Sequence, residues 1–201
     1  MKNTNPNSRR GALILRVFVL ILFSVQMTRA QSKDWTNYVT DTHYVKRIDK
    51  EKLAEQILQA NKKVTLVVIY TNYCGGTEYV LKSVNKIRST YGDAVNIALC
   101  NSSMYKDIPN MLSVLKRFNV KESPVYVIDS EKYKDKKSDD RYKGKLFRDD
   151  ICQACKREVI GVPYKILFDE NGNLLENGYI SSETVNAIIE YQLKKDLAAS
   201  K

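Results

Sequence analysis

The segment Val64–Tyr70 (VTLVVIY) restricts the fold of this chain more than any other feature. It is apolar at nearly every position and rich in β-branched residues, which is typical of a strand covered on both faces of a parallel-type sheet. A short polar turn follows, and apolar residues at helical spacing then predict a helix over Glu78–Tyr91. A covered strand followed by an amphipathic helix favours an α/β architecture.

The alternation of strands and helices continues along the chain. The last two strand patterns are separated by Asn171-Gly172, a strong hairpin signal. The sequence therefore predicts an α/β fold in which a central mixed β-sheet is flanked by α-helices on both faces. Beyond the two elements above, the predicted strands are Tyr44–Ile48, Asp93–Leu99, Pro124–Ile128, Tyr164–Phe168 and one opened by Leu174 and Leu175, and the predicted helices are Lys50–Asn61, Asp107–Phe118 and one that starts at Ser181.

The region Ser130–Lys145 interrupts this alternation. It is dense in charged residues and has no apolar period, so the sequence predicts a solvated loop inserted near 130–145. A helix is predicted after it, over Phe147–Val159, and this helix would carry Cys152 and Cys155. The part of the chain from 31 to 201 is long enough for a single domain and short for two.

The first thirty residues have the pattern of a signal peptide. Basic residues precede a mostly apolar stretch from Ala12 to Gln26, and Thr28-Arg29-Ala30 places small residues before an expected cleavage after Ala30. The unbroken apolar run is too short to cross a bilayer, so we expect no stable membrane span after cleavage. The sequence thus predicts a periplasmic or otherwise exported domain, in a compartment where disulfides persist.

The exported part is mildly basic. Five of the 33 Lys and Arg residues lie in the first thirty, which leaves 28 basic against 23 acidic residues. Such an excess of basic residues is typical of a soluble protein surface. The chain lacks the arginine cluster with interleaved aromatics that would indicate nucleic-acid binding. His43 is the single histidine, so neither a histidine-based metal site nor a Ser-His-Asp triad is predicted. No cofactor is predicted. The oligomeric state does not follow from the sequence.

Two motifs lie next to predicted strands. Tyr73-Cys74-Gly75-Gly76-Thr77 stands between the covered strand and its helix, and Gly161-Val162-Pro163 precedes the strand that leads into the hairpin. A cysteine at a helix N-terminus meets unpaired N–H groups and the positive end of the helix dipole, which favour the thiolate. Because a thiolate is the nucleophile in disulfide exchange, Cys74 is predicted to be a functional thiol.

On these motifs the chain resembles the thioredoxin-like superfamily, specifically its exported thiol–disulfide oxidoreductases that carry an insertion between the two halves. The resemblance covers about residues 44–193. It implies a thioredoxin-like fold, a cis bond at Pro163 facing Cys74, and thiol–disulfide exchange with exported protein or peptide thiols and disulfides. It also implies catalytic roles for Cys74, Thr77 and Pro163, and substrate contacts from Tyr73, Gly75, Gly76 and Val162.

The chain departs from the family pattern at three places. Thr77 stands where the second cysteine belongs, and Gly76 stands where proline is usual. Val68 occupies the position, six residues before Cys74, where the family tends to have a buried acid. Thr77 cannot attack a disulfide, although its hydroxyl is able to hydrogen-bond the Cys74 thiolate. Fast, general disulfide reduction by a dithiol is therefore not supported.

Three hypotheses remain open at this point. In the first, Cys74 forms mixed disulfides that an outside thiol releases. In the second, another cysteine resolves them: Cys100 at the end of the neighbouring strand is the nearest candidate, and the Cys152/Cys155 pair is the other. In the third, the site is redox-inactive and docks a partner peptide at the Pro163 edge. Cys100 is alternatively a packing residue, and Cys152 and Cys155 are alternatively a structural disulfide or two packed thiols.

Overall fold

The computed structural model describes residues 44–134, 140–156 and 161–199. The predicted signal peptide over 1–30 lies outside these residues. In the described ranges, no helix combines the length and the apolar character that a membrane crossing requires. The strands are β1 (Val45–Ile48), β2 (Val64–Tyr70), β3 (Val95–Asn101), β4 (Val125–Ile128), β5 (Tyr164–Asp169) and β6 (Leu174–Gly178), and the α-helices are α1 (Lys50–Ala60), α2 (Thr77–Tyr91), α3 (Ile108–Arg117), α4 (Asp140–Ile151) and α5 (Ser182–Ala199).

Six strands form one mixed sheet in the order β1-β4-β3-β2-β5-β6. β1, β4, β3 and β2 are parallel to one another, whereas β5 is antiparallel to β2 and β6 is antiparallel to β5. Val64 of β2 pairs with Val95 on one side and with Asp169 on the other, so β2 has a neighbour along both edges. The predicted α/β fold with a central mixed sheet and α-helices is confirmed.

β2 is buried over its whole length. Successive side chains of a strand point to opposite faces of the sheet. Val67 and Ile69 belong to an apolar cluster with Leu53 of α1 and Phe147 of α4, whereas Val68 points to the opposite face and is fully buried as well. The continuous apolar pattern of β2 therefore reflects a strand that is covered on both faces, and each such side chain contributes about 1.5–3 kcal/mol on burial.

The ends of the helices differ in how they are capped. Asp49 accepts a hydrogen bond from Lys52 N at 2.9 Å and caps the start of α1, and Asn61 ends this helix in the left-handed conformation with φ 47°. α2 begins differently, because its N-cap residue is Gly76, which has no side chain to accept a hydrogen bond. The start of α2 therefore faces the loop that contains Cys74 without a capping side chain from the N-cap residue.

The loop predicted over Ser130–Lys145 is wrong for its last six residues, which belong to α4. Gly144 lies against β2, since a Cβ on it would be 3.2 Å from Ile69 Cγ2. Lys143 is 3% exposed, and Phe147 is fully buried. The helix escaped prediction because its inward positions include a lysine and a glycine, which break the apolar period in a charged segment.

The helix predicted over Phe147–Val159 ends earlier than expected. α4 stops at Ile151, and a 3₁₀ turn over Gln153–Cys155 follows. Cys152 therefore lies just after the helix and Cys155 at the end of the 3₁₀ turn, so the two cysteines do not share an α-helical face. Residues 157–160, over which the helix was predicted to continue, lie outside the described residues.

Candidate functional site

Cys74 lies in the loop between the end of β2 and the start of α2. Thr77 N donates a hydrogen bond to Cys74 O at 3.0 Å and Val80 N donates one to Gly76 O at 3.1 Å, so the chain begins to turn at the cysteine. The Cys74 thiol is free and partly exposed. Its Sγ donates a hydrogen bond to the Val162 carbonyl oxygen, 2.9 Å away.

Val162 and Pro163 complete the site from the other half of the chain. The peptide bond between them is cis. The Pro163 ring packs against Gly76: a Cβ placed on Gly76 would lie 2.8 Å from Pro163 Cδ and 3.3 Å from its Cγ. The structure thus brings together two sequence motifs that are separated by nearly ninety residues, and we call Cys74, Gly76, Val162 and Pro163 the thiol site.

Thr77 has a different role from the one its hydroxyl suggested. It is the first residue of α2 and is 3% exposed. Its Oγ1 donates a hydrogen bond to the Thr71 carbonyl oxygen at 2.6 Å. A hydroxyl has a single proton to donate, so the hydrogen bond expected from Thr77 to the Cys74 sulfur does not form in this arrangement. The hydroxyl instead joins the first turn of α2 to the end of β2.

Tyr73 and Gly75 flank Cys74 on the exposed side. The Tyr73 side chain is 65% exposed, and its hydroxyl donates a hydrogen bond to Asp107 Oδ1 at 2.9 Å, next to the start of α3. A Cβ on Gly75 would meet no atom within 4 Å. Both residues therefore lie where a bound peptide is able to reach them.

Tyr179 packs against Gly161, the residue before Val162 of the thiol site, although nothing in the sequence pointed to it. It follows β6, is 61% exposed, and its ring packs edge-on against Tyr164 with 5.8 Å between centroids. Its hydroxyl group occupies the space where a side chain at position 161 would lie. Gly161 is therefore required to be a glycine as long as Tyr179 keeps this position, two residues before Pro163. The β5–β6 hairpin brings Tyr179 to this position next to Gly161. The sequence pattern predicted the hairpin but not the register of its strands.

Cys100 lies inside β3, not at its end, because the strand continues through Asn101. It pairs with Ile69 of β2 and Tyr126 of β4 in the sheet register. It is fully buried, and burial raises the pKa of its thiol far above the ordinary value. These features correct the expectation that Cys100 is the nearest resolving thiol, and they fit a cysteine that packs as a small apolar residue.

Cys152 and Cys155 form a disulfide, with 5.2 Å between their Cα atoms. Both residues are buried in the apolar cluster that also contains Cys100, and Val162 packs against the same cluster. Of the interpretations that the sequence left open for this pair, the structure therefore contains the disulfide. In this oxidised and buried form, the pair offers no free thiol to Cys74.

Val68, at the place of the family's buried acid, pairs with Lys165 of β5 in the sheet register. Lys165 is 5% exposed, and its Nζ donates a hydrogen bond to the Ile180 carbonyl oxygen at 2.8 Å. Burial lowers the pKa of Lys165, and the Glu183 carboxylate opposes this shift in part. The described residues include no group of three or more histidine, cysteine, aspartate or glutamate side chains arranged to hold a metal ion.

Buried polar side chains support the loop that precedes Cys74. Asn72 N donates to Ser103 Oγ at 3.1 Å, and Asn101 Nδ2 donates to Asn72 Oδ1 at 2.8 Å. Asn101 and Ser103 are each 1% exposed. The sequence predicted no role for these residues. The available signal was a polar Asn101-Ser102-Ser103 segment directly after a covered strand, at the edge where parallel strands end.

The chain matches no protein-family model and no curated protein. It is similar to solved structures of a thioredoxin-family thiol:disulfide interchange protein from Chlorobium tepidum TLS (15% identity, 67% of this chain and 83% of that chain, TM-score 0.49) and of an exposed lipoprotein thioredoxin from Streptococcus pneumoniae strain TIGR4 (16%, 67% and 89%, 0.47). A secreted disulfide oxidoreductase from Mycobacterium tuberculosis is also similar (12%, 67% and 84%, 0.43). Similarities at this level do not transfer an activity, so the function has to be argued from the residues of this chain.

Proposed function

We propose that this protein carries out thiol–disulfide exchange on exported proteins or peptides, with Cys74 as the single reacting thiol. The observation that supports this most is the position of Cys74 Sγ: partly exposed, before the uncapped start of α2, and 2.9 Å from the Val162 carbonyl oxygen next to Pro163. The thiolate is the form of a cysteine that attacks disulfides, and the N-terminus of a helix is a place where backbone N–H groups favour an anion.

The exchange proceeds in two balanced steps. The Cys74 thiolate attacks one sulfur of a substrate disulfide, the substrate S–S bond breaks, and the other substrate sulfur leaves as a thiolate. Thr77 supplies no second sulfur, so the mixed disulfide waits for a thiolate from an outside protein or small-molecule thiol. That thiolate attacks the substrate sulfur, forms a new disulfide with it and releases Cys74 as a thiolate. The sum exchanges one disulfide for another.

The Val162 carbonyl links ionisation of Cys74 to substrate binding. In the protonated state, this oxygen accepts the hydrogen of the Cys74 thiol. When the thiol loses its proton, the bond is lost and the oxygen is free to accept an N–H from an extended substrate peptide. Pro163 has no N–H of its own, so this short edge presents an acceptor to the substrate at the position next to the attacking sulfur.

We place the reaction in the periplasm or otherwise outside the cytoplasm. Residues 1–30 have the pattern of a signal peptide, and the Cys152–Cys155 disulfide is expected to persist only in an oxidising compartment.

The proposal is tested with a disulfide-linked peptide as substrate. Wild-type protein is expected to form an adduct whose mass maps to Cys74, and a small thiol should then release it. Cys74→Ser is expected to form no adduct, whereas Cys100→Ala should react like wild type because Cys100 is buried. Adduct formation no faster than that of an unstructured cysteine peptide would contradict the proposal.

A second candidate function is that of a docking module without redox activity. Thr77 at the place of the second cysteine and Val68 at the place of the buried acid favour it. In this case the Pro163 edge binds a partner peptide, and Cys74→Ser captures that partner as well as wild type does. Loss of capture in Cys74→Ser would argue against docking and for covalent exchange.

A further inference from the structure

Lys143 of α4 is a buried lysine in the charged insertion. It is 3% exposed, its Nζ donates hydrogen bonds to the Ser103 carbonyl oxygen at 2.6 Å and to Ser130 Oγ at 3.0 Å, and it lies 5.9 Å from the centroid of the Tyr105 ring. Removing an ammonium group from water is costly unless polar partners replace the water. An apolar residue would fill this position without that cost. The hydrogen bonds of the ammonium group therefore indicate a role other than packing.

Ser103 connects Lys143 to the loop ahead of Cys74. Its carbonyl oxygen accepts from Lys143, its Oγ accepts from Asn72 N at 3.1 Å, and its own N donates to Asn101 Oδ1 at 2.8 Å. Asn101 Nδ2 closes the set by donating to Asn72 Oδ1 at 2.8 Å. Ser103 is therefore fixed from two sides, by α4 and by the loop that leads to Cys74.

The loop is also fixed at the start of α3. Asn72 Nδ2 donates to the Asp107 carbonyl oxygen at 3.2 Å, and the Tyr73 hydroxyl donates to Asp107 Oδ1 at 2.9 Å. Both residues that directly precede Cys74 thus have their side chains bound. The hydrogen bond from Cys74 Sγ to the Val162 carbonyl oxygen depends on the position that this loop gives to the thiol.

We infer that Lys143 is a positioning residue for Cys74: through Ser103 and Asn72, it holds the loop that presents the thiol to the start of α2 and to Val162. This inference rests on the proposed function, because it assigns the charged insertion a part in the reactivity of the same thiol. Loss of Lys143 lets the loop move, and the thiol then spends less time in the partly exposed position before the start of α2 in which it reacts.

The test measures iodoacetamide labelling of Cys74 and Cys100 in folded, full-length mature protein, with mass spectrometry to separate the two sites. Lys143→Met is expected to lower the labelling rate of Cys74 about fivefold, the effect of losing the hydrogen bond that joins Lys143 to the Ser103 carbonyl oxygen. Ser103→Ala is expected to lower it by a similar factor, and the double variant should lose no more than either single variant. Lys145→Met is the matched control, because Lys145 lies on the same helix but pairs with Asp149.

Cys100 separates positioning from mere stability. A variant that only destabilises the fold exposes Cys100 more often and labels it faster, whereas labelling of the already exposed Cys74 changes little. Faster labelling of Cys100 with Cys74 labelled as in wild type, or wild-type labelling of both sites in Lys143→Met and Ser103→Ala, would overturn the inference. If Cys74 in wild type reacts no faster than in urea-unfolded protein, the proposed function fails instead. If Lys143→Met does not fold, Lys143→Gln carries the test, because Ser103→Ala keeps the backbone carbonyl oxygen that Lys143 binds and removes only the bond from Ser103 to Asn72.

Discussion

Gly76 is one of the three positions at which this chain departs from the family pattern that it resembles. A proline or any other side chain there would occupy the place of the Pro163 ring, because a Cβ on Gly76 would be only 2.8 Å from Pro163 Cδ. That atom is part of a ring closed on the backbone, so it cannot rotate away. The missing side chain at position 76 and the close approach of Pro163 are therefore one feature of the thiol site.

Gly76→Ala is expected to lower the free energy of unfolding by about 1–3 kcal/mol, since the added methyl group has to displace Pro163. Gly75→Ala is the matched control, because its Cβ would meet nothing within 4 Å. Urea denaturation of the two variants checks the prediction. Equal stabilities would show that the Pro163 loop adapts without cost.

Lys165 makes the stability depend on pH in the alkaline range. Burial lowers the pKa of Lys165 in the folded state, so in the interval between this value and the unfolded value of about 10.4 the unfolded chain binds more protons. Stability from this residue therefore rises as pH rises through that interval. Wild type is expected to gain stability relative to Lys165→Met as pH approaches the unfolded value of about 10.4 from below, measured by urea denaturation. A difference that stays constant with pH would contradict this assignment.

At the scale of elements, α2 is joined to the segment before β4 by a partly buried ion pair. Arg88 Nε and Nη2 donate to the two carboxylate oxygens of Glu122 at 2.8 and 2.7 Å. The Glu122 side chain is 7% exposed, whereas Arg88 is 25% exposed. The pair raises the pKa of Arg88, because the Glu122 carboxylate favours the charged guanidinium. This contact fixes the far end of the helix whose start faces Cys74.

Arg88→Met is expected to cost about 3 kcal/mol of unfolding free energy, because the Glu122 carboxylate remains buried without its partner. Lys82→Met, which breaks an exposed pair with Glu78 on the same helix, is expected to cause no measurable change. Chemical denaturation of both variants gives the comparison. A cost for Arg88→Met as small as that for Lys82→Met would mean that Glu122 reaches water or another donor.

The elements that the sequence predicted well are those with an uninterrupted pattern of apolar residues. β2 has its predicted bounds, and α2 begins one residue earlier than predicted, because an apolar strand and an apolar helix face leave little choice of register. α4 was missed over 140–145, where Lys143 and Gly144 point inward. Burial of a lysine depends on acceptors such as the Ser103 carbonyl oxygen, which the rest of the fold supplies, and no local pattern reveals them.

For the whole molecule, the sequence identified the participants in the thiol site but not all of their contacts. Cys74 and Pro163 were recognisable because a cysteine before a helix and a proline before a strand have few packing explanations. The hydrogen bond of Thr77 to Thr71 and the burial of Cys100 within β3 depend on side-chain geometry at distances below 4 Å. Sequence spacing alone does not determine such geometry.

The two free cysteines should report on different motions of the same molecule. Cys74 is partly exposed at the end of β2, whereas Cys100 is fully buried in β3 at the middle of the sheet. Labelling of Cys100 therefore requires opening of the core, and its rate is expected to rise with urea as steeply as global unfolding does. Labelling of Cys74 is expected to be nearly independent of urea below the unfolding transition. Rates measured for both sites across a urea series check this, and Cys100 labelling with a shallow urea dependence would show that β3 opens locally while the rest of the domain stays folded.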